Sequence, residues 1–401
     1  MTDNNENKVL NVPHLRFPEF SGEWNKYTIN DLATVVGGGT PDTTVKSYWG
    51  GDIQWFTPSE IGKNKYVDFS KRTITRDGLD NSSAKLLPLH TILLSSRATV
   101  GECSIASNEC TTNQGFQSLI AKQCNIDFLY YLIQTKKKDL IRNACGSTFL
   151  EISANEIRKI KVAVPVQNEQ EQIAKLLSLI DERIATQNKI IEDLKKLKSA
   201  ISKYLFARKD LLETTICLSN IATLKNGYAF QSGKYNALGK WKILTITNVS
   251  GERYINDEDY NCIINLPNDI QDHQVLKEGD ILISLTGNVG RVSLCKNGNY
   301  LLNQRVGLLQ LAKNVNQEFL YQILSSQRFE NSMIACGQGA AQMNIGKGDV
   351  ENYVLPYSSN GNNILFAAKI LHSYDECIIN ELRRLTLLTM QKQYLLTQMF
   401  I

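Results

Sequence analysis

Two segments of the chain carry apolar residues at alternating steps of four and three positions. The first segment runs from Ile173 to Leu205 and the second from Ala367 to Met399. Stripes sustained over about five heptads predict two long amphipathic helices that pair as a coiled coil. The stripe residues expected to pair the helices or to dock a partner are Ile173, Leu177, Ile180, Ile184, Ile191, Leu194, Leu371, Ile378, Leu385 and Leu388.

Both stripes are interrupted at equivalent positions. Gln187 and Lys198 occupy core slots of the first helix, and Glu381 and Lys392 occupy the same slots of the second. Polar residues at core slots set the register of some coiled coils. These four residues are therefore either inherited register-setting positions or solvated slots at a frayed crossing.

The residues before each stripe have a different pattern. Short apolar runs bounded by Gly, Asn, Asp and Pro, such as Thr91–Leu94 and Asp280–Ser284, predict β-strands. Short helices are expected between the strands, around Ile126–Thr135 and Gln317–Ser326. Each half of the chain is thus predicted to be a mixed, β-rich domain followed by a long helix.

The two halves repeat one another at an offset of about 190 residues. Each matched pair of segments is short, but the pairs keep the same order along the whole chain, which indicates a duplication. Two sibling domains favour a pseudo-twofold arrangement, which can address two half-sites on a DNA duplex. The clearest pairs are Leu32-Ala33-Thr34 with Ile221-Ala222-Thr223, Ile92–Ser95 with Ile281–Ser284, Phe128-Leu129-Tyr130 with Phe319-Leu320-Tyr321, and Asp181-Glu182 with Asp375-Glu376.

The predicted fold class is α+β, with two tandem β-rich mixed domains in pseudo-twofold arrangement, separated by two long antiparallel coiled-coil helices. The expected boundaries are 1–166 and 209–357 for the domains, and 167–208 and 358–401 for the helices. A stripe of 33 residues makes a helix about 50 Å long, and successive major-groove faces lie about 34–36 Å apart. The helices are therefore long enough to space two DNA-reading domains, although a helical hairpin without a DNA role has the same periodicity.

Composition limits which partners and which cellular compartment are expected for the protein. The 401 residues carry a net charge of only +4, so a DNA-binding role requires the basic residues to concentrate on one face. The nine cysteines form no C-x-x-C pair and the four histidines lie far apart, so we expect reduced thiols and no metal site. The polar start, Met1–Asn7, does not look like a signal peptide, and no apolar run is long enough for a membrane span. A soluble, cytoplasmic protein is the expectation.

Motifs for common catalytic chemistries are missing from the sequence. The chain has no P-loop, no G-x-S-x-G, no H-E-x-x-H and no N/D-P-P-Y/F motif of adenine methyltransferases. Gly37-Gly38-Gly39 is interpreted as a flexible turn, and Asp193-Leu194-Lys195 as a solvated helix face. No catalytic residue is predicted.

Three motifs carry a resemblance to a known family. They are Pro13–Phe20 with Gly22-Glu23-Trp24, Gly146–Phe149 continuing to Val164-Pro165, and Glu169–Ile173 with Leu179-Ile180-Asp181. With these motifs the chain resembles, over essentially its whole length, the specificity subunits of type I restriction–modification systems. The second half keeps Asp375-Glu376 but has Asn360–Asn363 in place of the Glu-Gln opening, which leaves open whether both helix starts make the same contact with a partner.

The resemblance implies a function for each part of the chain. Each domain would be a target-recognition domain that reads one half of a split site in double-stranded DNA. The helices would set the unread spacer and dock two adenine-N6 methyltransferase (M) subunits, and restriction (R) subunits would join through the complex. S-adenosylmethionine, ATP and magnesium would be used by those partner subunits, so this chain is expected to bind no cofactor and to perform no catalysis.

Candidate DNA-binding residues follow from side-chain chemistry at the loops. Arg, Lys, Asn, Gln, Ser and Thr read base edges, and Lys, Arg and hydroxyl groups contact phosphates. Loops at equivalent positions of the repeat carry different side chains, as two domains that recognise different DNA sequences require. Asn113-Gln114 and Asn303-Gln304 recur unchanged, and these residues are interpreted as structural turns. The predicted DNA-binding residues are Thr57, Ser59, Lys63, Lys65, Arg72, Arg76, Ser96, Arg97, Thr99, Lys234, Lys242, Thr247, Asn248, Thr286, Asn288, Arg291 and Arg305.

Two other functions are kept as alternatives. A self-sufficient DNA enzyme would label DNA from S-adenosylmethionine without a partner subunit. A coiled-coil scaffold would bind its partners regardless of the DNA sequence.

Overall fold

The computed structural model describes residues 11–146, 150–337 and 343–401. The chain forms two compact units, unit 1 from Met1–Asn188 with Arg384–Ile401, and unit 2 from Lys189–Arg383. Met1–Asn7 and the Ser147-Thr148-Phe149 part of the family motif lie outside the described residues. No described helix combines the length and the apolar character that crossing a membrane requires.

In its described residues, unit 1 holds ten strands, six helices that begin in it, and the end of the long helix at the C-terminus of the described chain. A five-stranded sheet has the order β2-β9-β6-β7-β4, a three-stranded sheet has the order β5-β3-β8, and β1 pairs with β10. The strands are β1 Asn25–Thr28, β2 Ala33–Gly37, β3 Trp49–Phe56, β4 Tyr66–Val67, β5 Arg72–Ile74, β6 Ile92–Leu94, β7 Cys103–Ala106, β8 Cys110–Thr112, β9 Gln117–Ala121 and β10 Lys161–Val164. The helices are α1 Ile29–Leu32, α2 Arg76–Asp80, α3 Ile126–Thr135, α4 Lys137–Arg142, α5 Ala154–Lys159 and α6 Gln167–Ala207, of which α6 continues into unit 2.

Unit 2 also holds ten strands. Its two four-stranded sheets have the orders β12-β19-β16-β17 and β14-β13-β18-β15, and β11 pairs with β20. The strands are β11 Thr214–Cys217, β12 Ala222–Asn226, β13 Trp241–Leu244, β14 Asn261–Ile263, β15 Val275–Leu276, β16 Ile281–Ser284, β17 Val292–Leu294, β18 Tyr300–Leu302, β19 Val306–Leu311 and β20 Val354–Tyr357. The helices are α7 Gln317–Leu324, α8 Gln327–Cys336, α9 Lys347–Glu351 and α10 Gly361–Gln398, of which α10 continues into unit 1.

The two units share one strand topology. The order β2-β9-β6-β7 of unit 1 returns as β12-β19-β16-β17, and β5-β3-β8 returns as β14-β13-β18. Even the parallel pairing of β3 with β8 has its counterpart in the parallel pairing of β13 with β18. The α+β class and the tandem duplication predicted from the sequence are therefore confirmed.

The long helices pair antiparallel within each unit. In unit 1 the end of α10 packs beside the start of α6, where Leu395 and Leu177 share one buried cluster. In unit 2 the end of α6 packs beside the start of α10, where Leu205 and Leu371 share another. Of the predicted stripe residues, those that are fully buried are Ile173, Leu177, Ile180, Ile191, Leu371 and Ile378, and those that are partly buried are Ile184, Leu194, Leu385 and Leu388.

The hydrophobic core of each domain is continuous with the helices. In unit 1 Trp24, Phe128 and Phe400 form an aromatic group in which Phe128 and Phe400 stack with ring centroids 5.2 Å apart. In unit 2 Phe319 packs edge-on against Phe206 of α6 and Tyr357 of β20. Because burial of large aromatic side chains dominates core energetics, each domain and its helix segments should unfold together.

Candidate nucleic-acid interface

The first element of the candidate interface is a capped turn that follows β3 in unit 1 and β13 in unit 2. The Thr57 N–H and hydroxyl both donate to Glu60 Oε2, at 2.8 and 2.6 Å. At the equivalent place the Thr245 N–H and hydroxyl donate to Asn248 Oδ1, at 2.7 and 3.1 Å. The same backbone turn is thus built twice, with a carboxylate in one unit and an amide in the other.

The second element is a turn with one residue in the left-handed region, after β6 and β16. Ala98 has a φ of 58° and Gly287 a φ of 69°. The turn is held by the strand-end serine, since Ser95 Oγ donates to the Arg97 carbonyl at 2.9 Å and Ser284 Oγ to the Thr286 carbonyl at 3.2 Å. The preceding strand therefore fixes the backbone of this turn.

The third element is an asparagine turn between β8 and β9, and between β18 and β19. The Gly115 N–H donates to Asn113 Oδ1 at 2.9 Å, and the Arg305 N–H donates to Asn303 Oδ1 at 3.1 Å. Such side-chain-to-backbone bonds are the usual reason for asparagine in a turn. The interpretation of the recurring asparagines as structural turn residues fits this geometry.

The three turns meet in each unit. In unit 1 the Ser96 N–H donates to the Gly115 carbonyl at 2.8 Å, and a Cβ atom added at Gly115 would lie 3.1 Å from Pro58. In unit 2 the Leu285 N–H donates to the Arg305 carbonyl at 3.0 Å, and a Cβ atom added at Gly287 would lie 3.4 Å from Ile246. We call residues 57–60, 96–99 and 113–115 reading surface 1, and residues 245–248, 285–288 and 303–305 reading surface 2.

A glycine supports each reading surface, and the glycine of unit 1 belongs to the segment that the sequence predicts to be a flexible turn. A Cβ atom added at Gly38 would lie 2.0 Å from the Asn113 carbonyl oxygen, and one added at Gly227 would lie 2.2 Å from that of Asn303. Since real Cβ atoms do not approach oxygen so closely, only glycine fits at either place. The Gly37–Gly39 segment is therefore not a flexible turn but a close backbone contact.

The exposed side chains of the two surfaces differ in chemistry. Surface 1 presents Ser59, Arg97, Thr99 and Gln114, whereas surface 2 presents Thr247, Asn288, Gln304 and Arg305. Arg97 Nε lies 2.8 Å from Glu151 Oε1, which holds the guanidinium beside its turn. The predicted residues Thr57 and Thr286 belong to these surfaces too, at intermediate exposure. Turns that have the same backbone in both units but different side chains are suited to two domains that recognise different base sequences.

Three of the predicted DNA-binding residues have little exposed side chain in the structure. Ser96 is 0% exposed and Asn248 2% exposed, and Asn248 serves instead as the cap of its turn. The Lys65 side chain is 9% exposed and lies 2.7 Å from Asp127. Asn248 and Lys65 are taken up by partners inside the protein, whereas the buried Ser96 hydroxyl has no hydrogen-bond partner among the described residues.

The other predicted basic residues lie outside the reading surfaces. Arg72 stacks 3.6 Å from the centroid of Trp49, Arg76 pairs with Asp80 on α2, and Arg291 pairs with Glu330 on α8. Lys63 and Lys234 are exposed. Among the described residues, Lys63, Lys234 and Arg305 have no ion-pair partner, so their charges are available to a phosphate backbone.

Lys242 is held by an ionised carboxylate. It lies 3.4 Å from Asp257 and 4.1 Å from the centroid of Tyr260. Hydrogen bonds from Lys296 and Tyr300, together with Lys242, lower the pKa of Asp257 to about 2. Lys242 therefore carries a neutralising partner at neutral pH, unlike Lys234. Within residues 11–146, 150–337 and 343–401, no group of three or more His, Cys, Asp or Glu side chains is arranged to hold a metal ion.

Comparison with known proteins places both halves of the chain in one family. The family described as type I restriction modification DNA specificity domain matches residues 21–196 and again residues 213–389. The chain is 38% identical over 192 residues to the type I restriction enzyme MjaIX specificity subunit of Methanocaldococcus jannaschii. The aligned region covers 46% of this chain and 44% of that protein. It is 28% identical over 206 residues to the EcoR124I/EcoR124II specificity subunit of Escherichia coli, covering 49% and 50%. The chain thus spans about half the length of the curated relatives it matches.

Solved structures show the same fold. A type I restriction–modification S subunit from M. genitalium matches with a TM-score of 0.57 at 18% identity, over 97% of this chain and 99% of that one. A chain from a study of complex assembly and conformational transition of the type I R-M system matches with a TM-score of 0.58 at 14% identity, over 96% and 98%. Since the family profile covers both halves and the fold agrees, the protein belongs to the type I restriction modification DNA specificity family, with one copy of the domain in each half.

Proposed function

We propose that this chain is the DNA sequence-specificity subunit of a type I restriction–modification complex. Reading surface 1 and reading surface 2 each bind one half of a bipartite site in double-stranded DNA, and the chain itself catalyses nothing. One observation carries the proposal: the same three turns recur in both units with different exposed side chains. A duplicated catalytic site would instead keep its side chains.

The helices α6 and α10 separate the half-sites and bind two methyltransferase subunits in this proposal. Support comes from their length of 41 and 38 residues, about 60 Å each at 1.5 Å per residue. The partner subunits use S-adenosylmethionine, ATP and magnesium, and restriction subunits join through the complex. Because the ligand is DNA and the cysteines are free thiols, the cytoplasm is the expected compartment.

Methylation-aware sequencing tests the proposal directly. DNA from cells that carry this chain and a type I methyltransferase subunit should show N6-methyladenine at one split motif. Arg97→Ala, on reading surface 1, should relax or change one half of the motif and leave the other half intact. No mark at any split motif, or equal loss of both halves, would contradict the proposal.

Helix length can be tested in the same assay. Inserting four residues after Gln187 should change the accepted spacer or abolish assembly, while the two half-site sequences stay the same. Full methylation with an unchanged spacer would show that the helices do not measure the spacer.

A further inference from the structure

Two clusters of largely buried charge lie where each domain meets α6 and α10, outside the reading surfaces. In unit 1 Lys65 of the domain lies 2.7 Å from Asp127, and Lys392 of α10 lies 2.7 Å from Asp181 of α6. The side chains of Lys392 and Asp181 are 19% and 18% exposed. Tyr131 joins the cluster, because its hydroxyl donates to Asp181 Oδ2 at 2.7 Å.

Unit 2 contains an equivalent cluster, in which charged residues of the domain again contact a lysine and an aspartate of the long helices. Arg253 makes two hydrogen bonds to Glu318, at 2.8 and 2.6 Å, and a third to Asp375 at 2.9 Å. Lys198 of α6 lies 2.6 Å from Asp375 of α10, and Gln322 donates to the same carboxylate at 2.6 Å. Asp375 is 7% exposed and Lys198 18%. Each cluster thus balances two cations with two carboxylates.

The clusters occupy equivalent positions of the internal repeat, and each includes a lysine that interrupts an apolar stripe. Lys198 and Lys392 are the polar residues at equivalent core slots, and each is ion-paired, with its side chain 18% and 19% exposed respectively. Each helix contributes its lysine to one unit and its aspartate to the other. The corresponding members are Lys65 and Arg253, Asp127 and Glu318, Asp181 and Asp375, and Lys392 and Lys198.

A regular heptad stripe does not by itself choose one alignment of two helices. Sliding one helix by a heptad, about 10.5 Å, places apolar slots opposite apolar slots again. After such a slide Lys392 would face Ala174 or Asn188, and Asp181 would face Leu385 or Met399. A buried charge without a partner is strongly unfavourable, so every one-heptad slide is penalised in both units.

We propose that Lys198–Asp375 and Lys392–Asp181 are register pins, positioning residues that select one alignment of α6 and α10. They act through the helices and contact no DNA. If the chain has the proposed function, the pins also fix the spacer length between the two half-sites, and this last consequence alone rests on that function.

Disulfide reporters in the full chain test the register directly. Leu177→Cys with Leu396→Cys reports the native alignment. Leu177 lies four residues before Asp181 and Leu396 four residues after Lys392, so the antiparallel packing that joins Asp181 and Lys392 brings these two buried positions to the same level. Leu177→Cys with Thr389→Cys reports an alignment slipped by one heptad. After mild oxidation, mass spectrometry of the linked peptides separates these bonds from bonds of the nine native cysteines.

The pins are removed by neutral residues of similar size, in the variant Asp181→Asn, Lys392→Met, Lys198→Met, Asp375→Asn. With the four charged residues intact, the disulfide should form in the first reporter (the native bond) and not in the second (the slipped bond). In the neutral variant the slipped bond should form in a fraction at least tenfold larger than in the parent, the reporter chain with the four charges intact. A neutral variant that keeps the native bond alone would overturn the proposal.

A variant in which the two charges of one pair are exchanged separates a change of register from a loss of folding. Asp181 is suited to the swap because its side chain binds Tyr131 and Lys392, whereas Asp375 also binds Arg253. Adding Asp181→Lys and Lys392→Asp to Lys198→Met, Asp375→Asn should restore the native bond alone. Failure of this rescue would refute the proposal even if the neutral variant did not fold.

A matched control and a second readout complete the design. Glu192→Gln with Lys196→Met removes an exposed ion pair of α6, at 65% and 67% exposure, and should leave the register unchanged. In the methylation assay the neutral variant should accept more than one spacer length with unchanged half-sites. If the parent directs no methylation, the proposed function fails, while the disulfide result still decides the register.

Discussion

Arg16 and Glu169, 153 residues apart in the chain, are joined by two hydrogen bonds of 2.7 Å. The Glu169 side chain is 0% exposed and also accepts a hydrogen bond from Trp24 Nε1 at 3.3 Å. The first and the third family motif therefore bind each other within unit 1. Glu169 of the Glu-Gln helix opening is thus bound inside the molecule, whereas Glu171 and Gln172 of the same opening are exposed.

The second helix start is held by different contacts. Glu213 Oε1 accepts hydrogen bonds from the Ser359 N–H at 2.7 Å and from its hydroxyl at 2.9 Å. Asn360 then begins the turn that leads into α10, with its Oδ1 accepting from the Asn362 N–H at 3.0 Å. The second helix start, which lacks the Glu-Gln motif, is thus held by Glu213 and a polar turn, and the two starts differ in their contacts within the protein.

Arg16→Ala should lower the free energy of unfolding by about 3 kcal/mol or more, because it leaves the buried Glu169 carboxylate without its cation. Denaturant titration of the full chain measures this loss. Arg76→Ala removes an exposed pair, at 69% and 56% exposure, and should cost less than about 1 kcal/mol. Similar losses for both variants would argue against a structural role for the Arg16–Glu169 pair.

Gly227→Ala should destabilise unit 2 by about 1–3 kcal/mol, because the new methyl group would overlap the Asn303 carbonyl. Gly233→Ala is the matched control in the same domain, since nothing lies within 4 Å of a Cβ atom there. Thermal unfolding of the two variants provides the comparison. A neutral Gly227→Ala would mean that this segment moves away from reading surface 2 at little cost.

Arg305→Ala and Lys234→Ala should weaken DNA binding without lowering stability, since neither residue has an ion-pair partner among the described residues. If they contact phosphates, each should reduce the slope of log K against log salt by about 1. Binding titrations at several salt concentrations, with the methyltransferase partner present, measure that slope. Lys313→Ala is the control, because Lys313 follows the end of β19 that is remote from reading surface 2, and its slope should not change.

Asp257→Asn should cost about 1–2 kcal/mol at pH 6, because hydrogen bonds from Lys296, Tyr300 and Lys242 favour the ionised carboxylate. The folded-state pKa of about 2 lies below the ordinary value of 3.8, so this stabilisation is present above pH 4 and is lost as the pH falls towards 2. The difference in unfolding free energy between parent and variant should therefore shrink between pH 4 and pH 2. A difference that stays constant over this range, or equals that of the exposed control Asp259→Asn, would contradict the assignment.

Alkylation should separate the cysteines into two groups. Burial raises the pKa of the Cys103, Cys110, Cys124 and Cys295 thiols to about 12, so the reactive thiolate is scarce at neutral pH. Iodoacetamide should first label the exposed thiols, which are Cys145, Cys336 and Cys377. Peptide mass spectrometry of native and unfolded protein checks the order, and early labelling of Cys103 would show that the unit 1 core opens readily.

Local patterns in the sequence predicted much of the architecture. The strands Ile92–Leu94 and Ile281–Ser284 lie in the short apolar runs bounded by turn residues that predicted them, and a helix lies at Ile126–Thr135 as expected. The candidate site was predicted less completely. Arg97, Asn288 and Arg305 are exposed on the reading surfaces, whereas Ser96 and Asn248 are buried and Lys65 is paired with Asp127. Burial and pairing of a polar side chain depend on residues far away in the chain, so no local pattern predicts them.

The sequence by itself determined the two amphipathic helices and the positions of the reading turns, since each depends on residues close together in the chain, and it determined the duplication because short local motifs recur in the same order. Only the tertiary structure decided the roles of single polar residues. Lys392 and Asp181 meet because α6 and α10 pack antiparallel, and Gly38 must be glycine because the Asn113 carbonyl lies against it. These roles depend on contacts between residues far apart in the chain, and no local pattern encodes them.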